Sequence, residues 1–221
     1  MDGLSTSILI KKGAEANLYL SDWHGRKAIL KRRLPKKYRP TLLDHRIRFF
    51  RTAHEPQLLS EARKAGVLTP LIYSVNVRQG LIVMQFVEGR QVKVLLNECA
   101  SPERKSICRI IGRSVGKLHR RGIIHGDLTT SNMIMSNDGK IFFLDFGLGE
   151  RNSEVEAMGV DLHLMKRALE STHFQFADEC FRYILRGYSD VVGSTLAQEV
   201  REKMMEIRRR GRYVSERKRE P

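Results

Sequence analysis

Two short runs, His125-Gly-Asp-Leu-Thr-Thr-Ser-Asn132 and Leu144-Asp-Phe-Gly147, hold residues whose types and spacing could do chemistry. Asp127 precedes Asn132 by five positions, and Asp145 follows Asp127 by 18. Phosphoryl transfer needs a carboxylate that orients and deprotonates an attacking hydroxyl or water. It also needs a carboxylate and an amide oxygen to hold magnesium against a triphosphate. A tight loop followed by a β-hairpin can present all three groups from one short segment. Asp127 is then the candidate catalytic base, with Asn132 and Asp145 as candidate magnesium ligands. Gly147 lets the chain turn sharply away behind the second ligand.

The elements that must position these groups are legible as two halves. Ser7–Lys12, Asn17–Ser21 and Lys27–Lys31 read as short strands separated by glycine-containing turns. A long helical stretch follows, with Leu42, Leu43, Ile47, Phe50, Leu58, Leu59 and Ala62 near helical spacing. Pro56 interrupts it and is expected to kink the helix or begin a new one. Thr69–Val77 and Leu81–Val87 read as a hairpin turning at Arg78-Gln-Gly80, and Glu88-Gly89 marks the exit from the sheet. Beyond that joint the pattern is mainly helical. Ser101-Pro102-Glu103 signals a helix start, with Ser101 as its cap. His119–Asn132 reads as a polar loop, and Met133–Ser136 with Lys140–Leu144 as a hairpin across Asn137-Asp-Gly139. Helices are expected at Val155–Glu170, Phe174–Arg186 and Thr195–Arg208. The plan is an α+β chain of two lobes: residues 1–88 strand-rich, 89–207 helical, and 208–221 a basic tail.

The loop and the Asp-Phe-Gly run resemble the catalytic segment of protein kinases. That resemblance implies an ATP and Mg2+ site, with a small antiparallel-sheet lobe carrying one main helix. Lys31, in Ala28-Ile-Leu-Lys31, fits the lysine that grips the α- and β-phosphates. Glu55 fits its ion-pair partner, although Glu61 lies on the same stretch. Gly13-Ala14-Glu15-Ala16 stands where kinases carry a glycine-rich loop, with one glycine in place of three. Met84, Gln85, Phe86 and Val87 fit the joint whose backbone meets the adenine edge. Two positions depart from regulated kinases. Gly126 stands where an arginine usually receives a phosphorylated activation loop, and Thr129 where serine/threonine kinases carry lysine. Only a short stretch separates Gly147 from the next helix, and no Ala-Pro-Glu closes it. Switching by loop phosphorylation and docking of peptide substrates are therefore not expected.

Over nearly its whole length the sequence resembles the family of small atypical kinase subunits of the KEOPS complex, the tRNA threonylcarbamoyladenosine machinery. The residues that carry the resemblance are Lys31-Arg-Arg-Leu-Pro-Lys-Lys-Tyr-Arg39, Leu43-Asp44, Arg51-Thr52, the Thr129-Thr130 pair within the loop, Asp161-Leu162 and Arg209-Arg-Gly-Arg212. Asp161 matches an aspartate that braces the catalytic loop. The resemblance implies ATP hydrolysis and serine autophosphorylation within the complex. It also implies docking of the threonylcarbamoyl transferase subunit on the helical lobe and tail, and of a small KEOPS subunit on the strand-rich lobe. Two other readings compete: a stand-alone small-molecule kinase of the aminoglycoside type, and a nucleotide-binding scaffold that has lost catalysis.

Charge fits a nucleic-acid partner. Residues 26–64 hold 13 Lys/Arg against three acids, and residues 201–221 hold nine against four, which accounts for the chain's net charge of +15. Such clusters attract phosphate polyanions, although charge alone reads equally as a solvated basic helix and tail; the resemblance implies that the polyanion met by the basic lobe and tail is tRNA. Membrane insertion is not expected. The longest apolar run, Leu81–Val87, is far short of the ~18–20 residues that span a bilayer, and Met1–Ser7 has no signal-peptide character. Cys99, Cys108 and Cys180 form no C-x-x-C pair, which suits reduced thiols in the cytoplasm or nucleus.

Overall fold

The computed structural model describes residues 7–217, with side chains through Arg210. Met1–Thr6, the Arg212 side chain and residues 218–221 of the basic tail lie outside the described residues. Strands β1 (Ile8–Lys12), β2 (Asn17–Trp23) and β3 (Arg26–Arg32) open the chain. Helix α1 (Thr41–Lys64) then leads to β4 (Ile72–Asn76) and β5 (Leu81–Gln85). The five strands form one antiparallel sheet in the order β1-β2-β3-β5-β4. Register pairs Lys31 with Leu18 on β2 and with Ile82 on β5. Residues directly opposite share a face, so Leu18 and Lys31 project into the same space.

No second helix begins at Pro56; α1 runs through it as one element. The lost amide bond to the Thr52 carbonyl is a local cost. Around it Thr52, Glu55, Leu58, Leu59 and Ala62 are all buried, so tertiary packing holds both halves. The apolar residues of the first half behave differently: Leu42, Leu43, Phe49 and Phe50 are exposed.

The second lobe begins with β6 (Gly89–Gln91), α2 (Val92–Glu98) and α3 (Ser101–Arg120). Helix α2 falls in a stretch with no expected element. Its signal is only Val92, Leu95 and Leu96, buried at one-turn spacing in a seven-residue helix. Ser101 is the first helical residue and not the cap, which is Ala100 and carries no side-chain bond. The expected loop over His119–Asn132 contains the end of α3, strand β7 (Ile123–Ile124) and a 3-10 turn at Thr130–Asn132. Strand β8 (Met133–Ser136) pairs with β6 on one side and with β9 (Ile141–Phe143) on the other, while β10 (Glu150–Arg151) pairs with β7. Helices α4 (Val155–Thr172), α5 (Ala177–Val192) and α6 (Ser194–Arg217) complete the lobe, and α6 carries straight through residue 208.

One core runs through both lobes: Leu58, Leu59, Ala62 and Val67 join Ile111, Leu118, Leu128, Phe143, Leu162 and Ile184 in a single buried cluster. Cys108 and Cys180 pack within it as thiols. Among the described residues, no helix is long and apolar enough to cross a membrane.

Candidate active site

Lys31 leaves β3 toward α1 and is buried. Its Nζ donates to Glu55 Oε1 at 2.8 Å and to Asp145 Oδ1 at 2.7 Å. Arg33, two residues on, reaches the same glutamate: its Nη2 donates to Glu55 Oε2 at 2.5 Å. Glu61 pairs instead with Arg151, so Glu55 is the glutamate that faces the lysine. The side chains of Lys31, Arg33 and Glu55 are nearly inaccessible. Together with Asp145 they make a cluster of two cations and two anions with no net charge, a condition for burying such groups. Arg33 is a site residue that its own sequence neighbourhood did not reveal.

Asp145 sits in the left-handed region at φ 59°, a strained setting for a non-glycine residue. Burial opposes ionisation of its carboxyl. Lys31 and the Gly147 N–H outweigh that and hold its pKa below the ordinary aspartate value. Oδ1 takes both Lys31 and the Gly147 N–H, which leaves Oδ2 for another partner.

The other candidate ligand is tied to it through the backbone, for the Leu144 N–H donates to the Asn132 carbonyl at 2.9 Å. The Asn132 amide donates to the Asp127 carbonyl at 3.0 Å and to Asp127 Oδ2 at 2.8 Å. Its nitrogen is thereby fixed on Asp127, and Asn132 Oδ1 is the atom available to a cation. Asp161 braces the start of this loop. Fully buried, it accepts from the N–H groups of His125 at 3.0 Å and Gly126 at 2.9 Å. His119 Nε2 lies 3.2 Å from the same carboxylate, and its Nδ1 lies 3.0 Å from the Tyr188 hydroxyl. His125 ties the loop to the next run: Nε2 donates to the Leu144 carbonyl at 3.0 Å, and Nδ1 accepts from the Asp127 N–H at 3.3 Å.

Two adjoining cavities make one cleft between the lobes. The outer, about 350 Å³, is lined by Gly13, Ala14, Glu15, Lys31, Arg51, Asp127, Asn132 and Asp145 among others. The inner, about 280 Å³, is lined by Met84, Gln85, Phe86 and Val87 at the joint, and by Ile10, Leu18, Ile29, Ile134 and Leu144 above and below. Lys31, Asn132 and Asp145 border both. The aliphatic walls went unread in the sequence, although Leu18 could have been found by pairing its strand against Lys31. A larger cavity, about 520 Å³, lies among α4, α5 and α6 and contains none of these groups.

A Bud32 subunit of the KEOPS complex from Pyrococcus abyssi is 45% identical over 211 residues, covering 93% of this chain and 96% of that protein. The chain belongs to the Bud32 family. A Bud32 subunit of the EKC/KEOPS complex from Dictyostelium discoideum is 36% identical and is covered over 82% of its length. A probable bifunctional tRNA threonylcarbamoyladenosine biosynthesis protein from Methanothermobacter thermautotrophicus is 42% identical, and this chain spans 36% of it. Residues 56–165 match the ABC1 atypical kinase-like domain. That span includes Asp127, Asn132 and Asp145 and starts beyond Lys31 and Glu55. A solved complex of Rv3197 with erythromycin from Mycobacterium tuberculosis superposes with a TM-score of 0.53 over 81% of this chain and 54% of that one. At 14% identity it shows the fold alone.

In this Bud32-family chain the departure at Gly126 has a structural reason. Gly126 has φ 78°, and a Cβ there would sit 2.2 Å from the Leu148 carbonyl oxygen. The position cannot hold an arginine, or any side chain, without moving the next segment. Gly126→Ala is expected to lower stability by about 2–3 kcal/mol, read as a reduced urea midpoint; an unchanged midpoint would contradict the assigned packing. Of the threonine pair, Thr130 is buried, with its hydroxyl 3.0 Å from His173 Nε2, while His173 Nδ1 lies 2.7 Å from Asn97 Oδ1. Burial, with Lys93 and Arg104 nearby, pushes the His173 pKa down and favours the neutral ring in this chain.

Proposed function

We propose that this chain is an ATP-dependent phosphotransferase and ATPase acting as a subunit of the KEOPS complex that makes threonylcarbamoyladenosine in tRNA. The observation that carries the reading is Lys31 bonded to both Glu55 and Asp145, with Asp127 and Asn132 lining the same cleft. Adenine would occupy the inner, apolar cavity against Met84–Val87. Lys31 would hold the inner phosphates, kept in place by Glu55. Two oxygens, Asn132 Oδ1 and Asp145 Oδ2, fit Mg2+, which takes few protein ligands and completes its shell with phosphate and water. When bound, that ion neutralises charge on the phosphate oxygens.

Asp127 has its Oδ2 pinned by Asn132, so Oδ1 can accept a proton from the attacking hydroxyl or water. As the new O–P bond forms and the terminal P–O bond of ATP breaks, the acceptor proton passes to Asp127 and ADP leaves. The segment between Gly147 and α4 is short, and no side chain fits at Gly126. Both features favour a site controlled by partners over one switched by loop phosphorylation. Water and protein serines, including the chain's own, are the proposed acceptors.

Exposed Leu42, Leu43, Phe49 and Phe50 on α1 give the first lobe an apolar surface suited to a small KEOPS subunit. The helical lobe and the basic end of α6 are the proposed seat of the transferase subunit, with tRNA reached through the basic groups of both lobes. Some of that charge is already paired. Lys31, Arg33, Arg39, Arg48 and Arg51 hold internal carboxylates, so Arg26, Arg32, Lys36 and Lys37 are the better candidates for RNA contact. The free thiols support a reducing compartment, the cytoplasm or nucleus.

The test is phosphate release and labelled-phosphate incorporation, with and without Mg2+, transferase subunit and tRNA. Turnover is expected to require Mg2+ and to rise with the partner and tRNA. Failure to turn over ATP in the assembled, tRNA-bearing complex would overturn the reading.

A further inference from the structure

The loop Gly13–Ala16 closes on itself: the Gly13 N–H donates to the Ala16 carbonyl at 3.0 Å. A Cβ on Gly13 would lie 2.7 Å from that oxygen, so its single glycine serves the turn. The turn carries Glu15, whose two carboxylate oxygens reach two arginines. Oε1 accepts from Arg39 Nη2 at 2.9 Å, and Oε2 lies 2.9 Å from Arg51 Nη1. Partial burial opposes the Glu15 charge, but Arg39 and Arg51 outweigh it and keep its pKa low. The β1–β2 loop is thereby latched to α1 through Arg51 and to the segment just before α1 through Arg39.

The two arginines are not equivalent. Arg39 also has Asp44 at 3.9 Å. Among the described residues, Glu15 is the carboxylate within ion-pair reach of Arg51. Arg51 also lines the outer cavity beside Asp127, and it does not border the inner one. Lys31 borders both. The order along the cleft is therefore joint, Lys31, then Arg51 with Asp127, which puts Arg51 at the end remote from the proposed adenine position. Charge points the same way. Lys31, Arg33, Glu55 and Asp145 cancel one another, so they offer a polyphosphate little net attraction. A guanidinium beside that neutral cluster is a strong, bidentate phosphate ligand.

We propose that Arg51 binds the terminal phosphate of a nucleoside triphosphate and that Glu15 competes with that phosphate for it. This rests on the reading of the cleft as a nucleotide site. The pair then acts as a selector of triphosphate over diphosphate: a γ-phosphate takes Arg51 from Glu15 and leaves the loop held through Arg39 alone, whereas a diphosphate leaves both contacts closed.

The test is titration of the full chain with Mg-ATP and Mg-ADP, for wild type, Arg51→Gln, Arg51→Lys and Glu15→Gln. Arg51→Gln is expected to weaken ATP binding by about 10–100-fold, the loss of one charged hydrogen-bond partner, with ADP changed less than about threefold. Arg51→Lys should recover part of the ATP preference, which also guards against a glutamine variant that folds poorly. Glu15→Gln should raise the preference for ATP over ADP by about 3–10-fold, as a competing charge is removed. An unchanged ATP-to-ADP ratio in both Arg51→Gln and Glu15→Gln, with both nucleotides still bound, overturns the selector and leaves the nucleotide site standing. Wild type that binds neither nucleotide overturns the site reading and the selector with it.

Discussion

Asp127→Ala is expected to abolish ATP turnover while Mg-ATP binding persists. The carboxylate is the candidate base nearest the end of the cleft where the transferred group would lie, and positioned general bases contribute about 10²–10⁴-fold. Binding should survive because Lys31 and Asp145 do not depend on Asp127; their bonds run to one another and to Glu55. The variant also keeps Asn132 partly in place, since the Asn132 amide retains the Asp127 backbone carbonyl at 3.0 Å. Asp127→Asn is the sharper companion, matching size and removing only the basicity. Phosphate release and nucleotide titration on the same samples separate the two effects. Turnover within tenfold of wild type in Asp127→Ala would remove Asp127 from the role of base.

The second large effect concerns stability. Glu55→Ala is expected to cost about 3–5 kcal/mol, the usual penalty for removing one member of a buried ion pair. Glu55 is 1% exposed and bonds both Lys31 and Arg33. Lys31 would keep Asp145, so the loss falls on Arg33. Its next contact is the Thr52 hydroxyl at 3.5 Å, and its Nε is already buried without a partner. Adding Arg33→Met should therefore restore part of the stability lost in Glu55→Ala, by removing the orphaned cation. Urea unfolding of the two variants checks this. A single-variant loss below about 1 kcal/mol, the scale of an exposed pair, would mean that the cluster is solvated.

The chemistry was legible because it is local. Asp127, Asn132 and Asp145 lie within one loop and hairpin, and their spacing alone suggests what they could hold. The choice between Glu55 and Glu61 was not legible. Six residues apart on a helix, they point to different faces, and which face meets β3 depends on how α1 is rolled against the sheet. Arg33 and the Arg51–Glu15 pair were hidden for the same reason. Each joins residues brought together by the sheet and α1, with no periodicity to announce them. Pro56 misled in the other direction, because a local rule about amide bonds yields to burial on either side of it. Helix α2 was too short for its three apolar residues to form a pattern.

The core that runs from α1 into the helical lobe has a consequence for how the molecule can be divided or moved. Leu58, Leu59 and Ala62 come from the first lobe's helix yet pack among Leu118, Leu128 and Phe143, and Glu61 pins that helix to Arg151. A fragment cut at the joint near Gly89 would leave bare apolar surface on both pieces. For the same reason α1 cannot swing outward alone to disengage Glu55. A partner that throttles or wakes this site has to act on the mouth of the cleft or on the angle between lobes, with the helix travelling as part of the lower body.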